Sequence, residues 1–218
     1  MPLFRVAARL FAAALLLAPL GAIAQTQRLP VSGREYQVLD PPRPVATGER
    51  IEVIEFFYYG CPICYEAQPH ISRWLLRTGP AVTLRRVPAV SAEGWEAFAK
   101  IYYALESVGQ LARLHWPVYD NHHFDGKRLN EVKNLLDWLQ QNGVDTEKFR
   151  DALNSDDTRA KVESAQKMLE TYSVRGVPTF VIDGKYATSA RMANGVKEMM
   201  DVVEYLVVRA NSERARRQ

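Results

Sequence analysis

Two cysteines three positions apart, in Cys61-Pro62-Ile63-Cys64, constrain this chain more than any other feature, because it contains no others. A structural disulfide gains most by closing a long loop. A four-residue loop is worth only ~2 kcal/mol on the chain-entropy account, against ~4.7 kcal/mol for a hundred residues. The pair is therefore a poor staple and suits a dithiol that opens and closes. The flanking residues predict how it is held. Gly60 ends an apolar run, Pro62 fits the first helical position because it has no N–H to satisfy, and Tyr65 to Leu76 is helical in pattern with one breaker, Pro69, expected to kink it. With Cys61 at the helix start, both sulfurs lie on one face, one turn apart. Free backbone N–H groups and the positive end of the helix dipole then favour a thiolate at Cys61. Cys64, one turn inside, keeps the higher pKa expected of a resolving thiol.

A Cys-x-x-Cys pair also serves tetrahedral metal sites, but those need four ligands and there is no second pair. The histidines are His70, His115, His122 and His123. Adjacent His122 and His123 cannot readily face one ion and read as surface residues before the turn at Asp125-Gly126. No metal site is expected.

The N-terminus reads as an export signal. Arg5 and Arg9 precede an apolar run from Leu10 to Leu20, and Ala22-Ile23-Ala24 supplies small residues for cleavage before Gln25. The run is too short for a spanning helix and ends at Pro19 and Gly21. Export places the cysteines where disulfides persist. Removing residues 1–24 takes away two arginines and no acids, so the formal net charge falls from +3 to +1. A nearly neutral chain has no global electrostatic case for binding nucleic acid or a membrane surface. The mature protein is expected to be free of the membrane.

The remaining chain divides by pattern. Strands are predicted at Glu35–Leu39, at Ile51–Tyr59, which is apolar on both faces, and at Val82–Val87, the last two parallel around the cysteine helix. Residues 91–172 read as helices, with Trp95, Phe98, Ala99, Tyr102 and Leu105 at helical spacing, N-caps at Asp145 and Ser155, and Trp116 and Trp138 assigned to the core. Thr179–Ile182, a turn at Asp183-Gly184, and Lys185–Ala187 form a hairpin, followed by a helix over Val196–Val208. The expected organisation is a signal peptide (1–24), a first sheet segment (25–90), an inserted helical domain (91–172), a second sheet segment (173–211) and a flexible basic tail (212–218) carrying Arg214, Arg216 and Arg217. The class is α/β, a mixed central sheet flanked by helices.

The segments Glu55-Phe56-Phe57-Tyr58-Tyr59-Gly60-Cys61-Pro62-Ile63-Cys64-Tyr65 and Val174-Arg175-Gly176-Val177-Pro178-Thr179-Phe180 resemble the DsbA family of periplasmic thiol–disulfide oxidoreductases. The order of elements is similar along essentially the whole mature chain. The resemblance implies a thioredoxin fold with an inserted all-helical domain and an enzyme that introduces disulfides into reduced, unfolded exported proteins. It implies Cys61 as the reactive thiol, Cys64 as the resolving thiol, Pro178 as the family's cis-proline, and Val177 as a backbone partner for an extended substrate. Glu55 corresponds to the family's buried acid, a proton relay for Cys64; its alternation with Ile51, Val53 and Phe57 also predicts burial. No bound cofactor is needed, a membrane oxidase of the DsbB type is the expected re-oxidant, and a monomer is expected. Many family members carry histidine where this chain has Ile63, so a weaker oxidant is predicted. Ile63 should lie exposed with Tyr58, Tyr59 and the Pro178 loop in a substrate patch. The rival readings are a reductase or isomerase using the same centre, for which residues 25–50 are too few to form the usual dimerisation domain, and a non-catalytic chaperone or metallochaperone.

Overall fold

The computed structural model describes residues 28–45 and 47–216; the signal segment, its cleavage site and Arg217 lie outside them. Strand β1 (Gln37–Val38) precedes β2 (Ile51–Phe57), whose seven residues are all buried. Helix α1 (Pro62–Thr78) runs unbroken through Pro69 and leads through a short 3-10 turn into β3 (Val82–Pro88). Five helices follow: α2 (Trp95–Ser107), α3 (Leu111–His123), α4 (Val132–Gln141), α5 (Thr146–Asn154) and α6 (Asp156–Thr171). The chain returns to the sheet with β4 (Thr179–Ile182) and β5 (Tyr186–Ser189), then closes with α7 (Ala190–Ala193) and α8 (Val196–Ala215).

The sheet order is β1-β5-β4-β2-β3. β2 is central, parallel to β3 and antiparallel to β4, which explains why it is apolar on both faces. On one face Ile51 and Val53 pack with Ile71 and Trp74 of α1 and with Met199, Val203 and Leu206 of α8. On the other, Ile54 and Phe56 pack with Val87, Val181, and Ala165 and Leu169 of α6. At the end of β2 and just past it, Phe57, Tyr59 and Cys64 join the core formed by α2, α3, α4 and α5.

Several boundaries differ from the sequence expectation. β1 is two residues rather than five. β2 ends at Phe57, because Tyr58 and Tyr59 leave the sheet for the helical side. The hairpin turn is at Asp183-Gly184, both with positive φ, but its second strand begins at Tyr186. Helix α6 lies inside the span read as an insertion, yet it covers one face of the sheet. The last helix continues past 211 to Ala215, where Arg214 pairs with Asp183 in the hairpin turn and donates to the Gly48 carbonyl; these contacts extend the helix through much of the segment read as a tail. Trp116, assigned to the core, is 41% exposed on α3 and stacks on Tyr65, whereas Trp138 is buried. Among the described residues no helix is long and apolar enough to cross a membrane.

Candidate redox site

Cys61 is the N-cap of α1, with extended backbone angles, and Pro62 opens the helix. The Cys64 backbone N–H donates to Cys61 Sγ at 3.3 Å, and the Cys61 N–H donates to the Tyr58 carbonyl at 3.0 Å. Both cysteines are thiols in this structure, Cys61 partly exposed and Cys64 fully buried. Their chemistry diverges within one helical turn. A hydrogen bond from the Cys64 thiol, with help from the Cys64 and Ile63 N–H groups and against partial burial, brings the Cys61 pKa down to about 7. Burial first, and the Cys61 sulfur second, push Cys64 well above the ordinary thiol range. The pair is thus poised with one sulfur half-ionised near neutrality and the other holding its proton.

The Val177–Pro178 peptide bond is cis and sits beside this centre, with Cys61 Sγ 3.7 Å from the Val177 carbonyl oxygen. A second cis bond, Asp40–Pro41, follows β1. Ile63 is 43% exposed beside the cysteines. Tyr59 does not join it in an exposed patch. Its ring is fully buried against Phe57, Phe98 and Tyr119, and its hydroxyl bonds His115 Nδ1 at 2.8 Å, so a polar partner inside the helical core draws it away from the surface. Nor do His122 and His123 belong to a surface turn: they end α3, and His123 Nε2 lies 2.7 Å from the Tyr59 carbonyl oxygen, tying α3 to the loop before Cys61.

Glu55 is completely buried beneath α1. Its Oε2 accepts from Arg86 Nε at 2.9 Å and its Oε1 from Gln68 Nε2 at 3.0 Å. Gln68 Nε2 also lies 3.2 Å from the Cys64 carbonyl oxygen, so one amide joins the acid to the helical turn that carries Cys64. Burial raises the Glu55 pKa, and the Arg86 charge and the Gln68 hydrogen bond only partly oppose it. Gln68 and Arg86 were not singled out from sequence. Gln68 had a signal, because it follows Cys64 by four and so shares its helix face. Arg86 had none: its place opposite Glu55 follows from the parallel register of β2 and β3. Tyr58, expected in the patch with Ile63, is partly exposed, and its ring stacks on Trp95 at 4.0 Å with planes 2° apart, a contact the sequence does not signal.

A mixed sheet with a two-cysteine centre at a helix N-terminus, a buried acid below it and a cis-proline loop beside it defines a thioredoxin-fold dithiol protein. Residues 81–207 match the model of the DSBA-like thioredoxin domain family. The thiol:disulfide interchange protein DsbA of Burkholderia cepacia is 35% identical over 179 residues, covering 82% of this chain and 84% of the relative. An alignment that long leaves too few residues over to miss either Cys61 or Pro178. The crystal structure of Pseudomonas aeruginosa DsbA superposes with a TM-score of 0.78 at 34% identity, over 84% of this chain and 95% of that one. The Xylella fastidiosa oxidoreductase DsbA gives the same TM-score at 26% identity, over 85% of this chain and 100% of that one. The chain belongs to the DsbA-like thioredoxin family of thiol:disulfide oxidoreductases.

Proposed function

We propose that this protein acts as an oxidase, with Cys61 as the exchanging sulfur and Cys64 as the resolving one. The observation that carries the two roles is the geometry of the first turn of α1, with Cys61 partly exposed at the N-cap under the Cys64 N–H and Cys64 buried one turn inside. The divergence of their pKa values agrees with it, and the likeness to thiol:disulfide interchange proteins supports the oxidase direction. In the oxidised form a substrate thiolate attacks Cys61 Sγ, the Cys61–Cys64 bond breaks, and Cys64 departs and takes up a proton. A second substrate thiolate then attacks the substrate sulfur of the mixed disulfide and Cys61 leaves as thiolate. The substrate loses two electrons and gains a disulfide; the protein becomes the dithiol. Glu55, buried and linked through Gln68 to the Cys64 turn, serves as the proton relay for Cys64. Val177 supplies backbone groups to an extended substrate beside Pro178, while Pro62 and Ile63 form the apolar tip of the helix.

The clients are reduced, unfolded exported proteins and the re-oxidant is a membrane oxidase of the DsbB type, with the protein working as a periplasmic monomer. The charge pattern of residues 1–24 and the use of cysteine only in the exchange pair support this placement. Intact mass of the exported protein should correspond to a chain beginning at Gln25.

Ile63 offers neither donor nor charge to the Cys61 sulfur from its side chain, and the Cys61 pKa is lowered only to about 7, so a weaker oxidant than relatives with histidine at that position is expected. Equilibration with glutathione tests both points. The couple should be more oxidising than about −270 mV, the value of a typical reducing thioredoxin. Ile63→His should raise the potential and lower the Cys61 pKa. A wild-type potential at or below the thioredoxin value overturns the oxidase direction, and an unchanged or lower potential in Ile63→His overturns the role given to Ile63.

A further inference from the structure

The residue before the redox loop carries a polar group that the exchange chemistry has not used. The Tyr58 ring is held face to face on Trp95 at 4.0 Å and edge-on to Phe98 at 5.6 Å. This clamp lays the phenol over Gly60, so closely that a methyl group there would come within 2.8 Å of Tyr58 Cε1, Cζ and Oη. Gly60 adjoins Cys61, and Tyr58, Cys61 and Val177 all pack against the core on the helical side. Tyr58 stays partly exposed, and no hydrogen-bond partner for its hydroxyl is found among the described residues. Proximity to the sulfur also shows electrostatically, since a charge on Cys61 adds to burial in raising the Tyr58 pKa. A neutral phenol is therefore kept as a donor beside the exchanging sulfur.

An extended polypeptide presents both N–H and C=O groups and needs partners for each. The Val177 carbonyl beside Cys61 supplies an acceptor. We propose that Tyr58 is a substrate-contacting residue, whose hydroxyl donates to a backbone carbonyl of the substrate segment joined to Cys61 in the mixed disulfide. The stack on Trp95 makes this donor rigid, so little side-chain freedom is lost on binding. Val177 and Tyr58 together select a polypeptide over a small thiol. This rests on Cys61 being the exchanging sulfur.

The test uses the oxidised mature protein and two reductants, an unstructured cysteine-containing peptide and 2-mercaptoethanol. Tyr58→Phe keeps the stack and removes the hydroxyl. It should lower the ratio of the peptide rate constant to the small-thiol rate constant by about fivefold to tenfold, the worth of one neutral hydrogen bond. Trp95→Leu, which frees the ring, should lower the same ratio. An unchanged ratio in Tyr58→Phe overturns the proposal. So does an equal fall in both rates with a raised Cys61 pKa in alkylation, which would place the phenol's action on the Cys61 sulfur instead. Failure of the wild type to react with either reductant overturns the reading of the site itself, a result distinct from a wild type that reacts and does not discriminate.

Discussion

Two carboxylates in this molecule sit among basic partners and are driven in opposite directions. Glu55, on the central strand under the cysteine helix, has Arg86 and Gln68 as donors and no access to water, and its pKa is raised. Glu213, near the end of α8, accepts from Tyr186 Oη at 2.5 Å, Lys185 Nζ at 3.1 Å and Arg209 Nε at 3.1 Å, and its pKa falls to about 2. Burial opposes ionisation at both sites. At Glu213 three donors and residual solvent outweigh it; at Glu55 two donors inside a closed core do not. An ion pair is thus no guide to protonation by itself. The first site holds its proton more tightly than an ordinary carboxyl beneath Cys64, while the second locks α8 to the hairpin in its charged form.

Removing a partner from the closed site should have the largest effect. Arg86→Leu leaves Glu55 buried with one neutral donor and is expected to destabilise the fold by about 3–5 kcal/mol in urea titrations near neutral pH. The sign with pH is fixed by the raised folded pKa. Below the folded pKa, which burial places above the ordinary 4.5, Glu55 is protonated with or without Arg86 and most of the loss disappears. The loss grows as pH rises through that folded pKa, where the carboxyl ionises beside Arg86 and cannot do so in the variant. A loss independent of pH would mean that Arg86 acts through packing alone, and Glu55 and Glu213 would then not differ in the way described.

Gln68→Leu should follow, at about 1–2 kcal/mol, since a buried carboxylate loses one hydrogen bond while keeping its charged partner. Because the same amide reaches the Cys64 carbonyl, the variant should also shift the pH dependence of disulfide exchange. Stopped-flow rates across a pH series check this. A profile superimposable on the wild type, with only stability lost, would confine Gln68 to holding the fold.

Much of this arrangement is legible in the sequence. Cys61 and Cys64 could be placed because helix capping is local: Gly60, Pro62 and a helical pattern suffice. The burial of Glu55 could be placed because strand alternation is local too. What escaped were relations across the fold. Arg86 meets Glu55 only through the register of two parallel strands, and Tyr58 meets Trp95 only because α2 returns to the redox loop. The errors at Tyr59 and Trp116 share a cause. Helical or strand spacing says that a residue lies on an apolar stripe, but which aromatic is covered depends on how α3 docks. Arg214 escaped for the same reason, its partner Asp183 being in a turn distant in sequence.

The smallest expected effect belongs to the open site, and it has the opposite sign with pH. Glu213 ionises more readily when folded, so its contribution is complete above about 4.5 and is lost as pH falls toward about 2. A shift of that size corresponds to roughly 3 kcal/mol at full strength. Arg209, however, is 39% exposed, and solvent screening reduces the contribution to about 1 kcal/mol. Glu213→Gln should therefore cost about that much at pH 7, and the gap to the wild type should close by pH 2. Added salt should narrow it as well, whereas the Arg86→Leu loss should persist, because only the exposed pair is open to counterions. If salt weakened both equally, Glu55 would have to be reached by solvent, and the difference in burial would no longer explain why one carboxyl is raised and the other lowered.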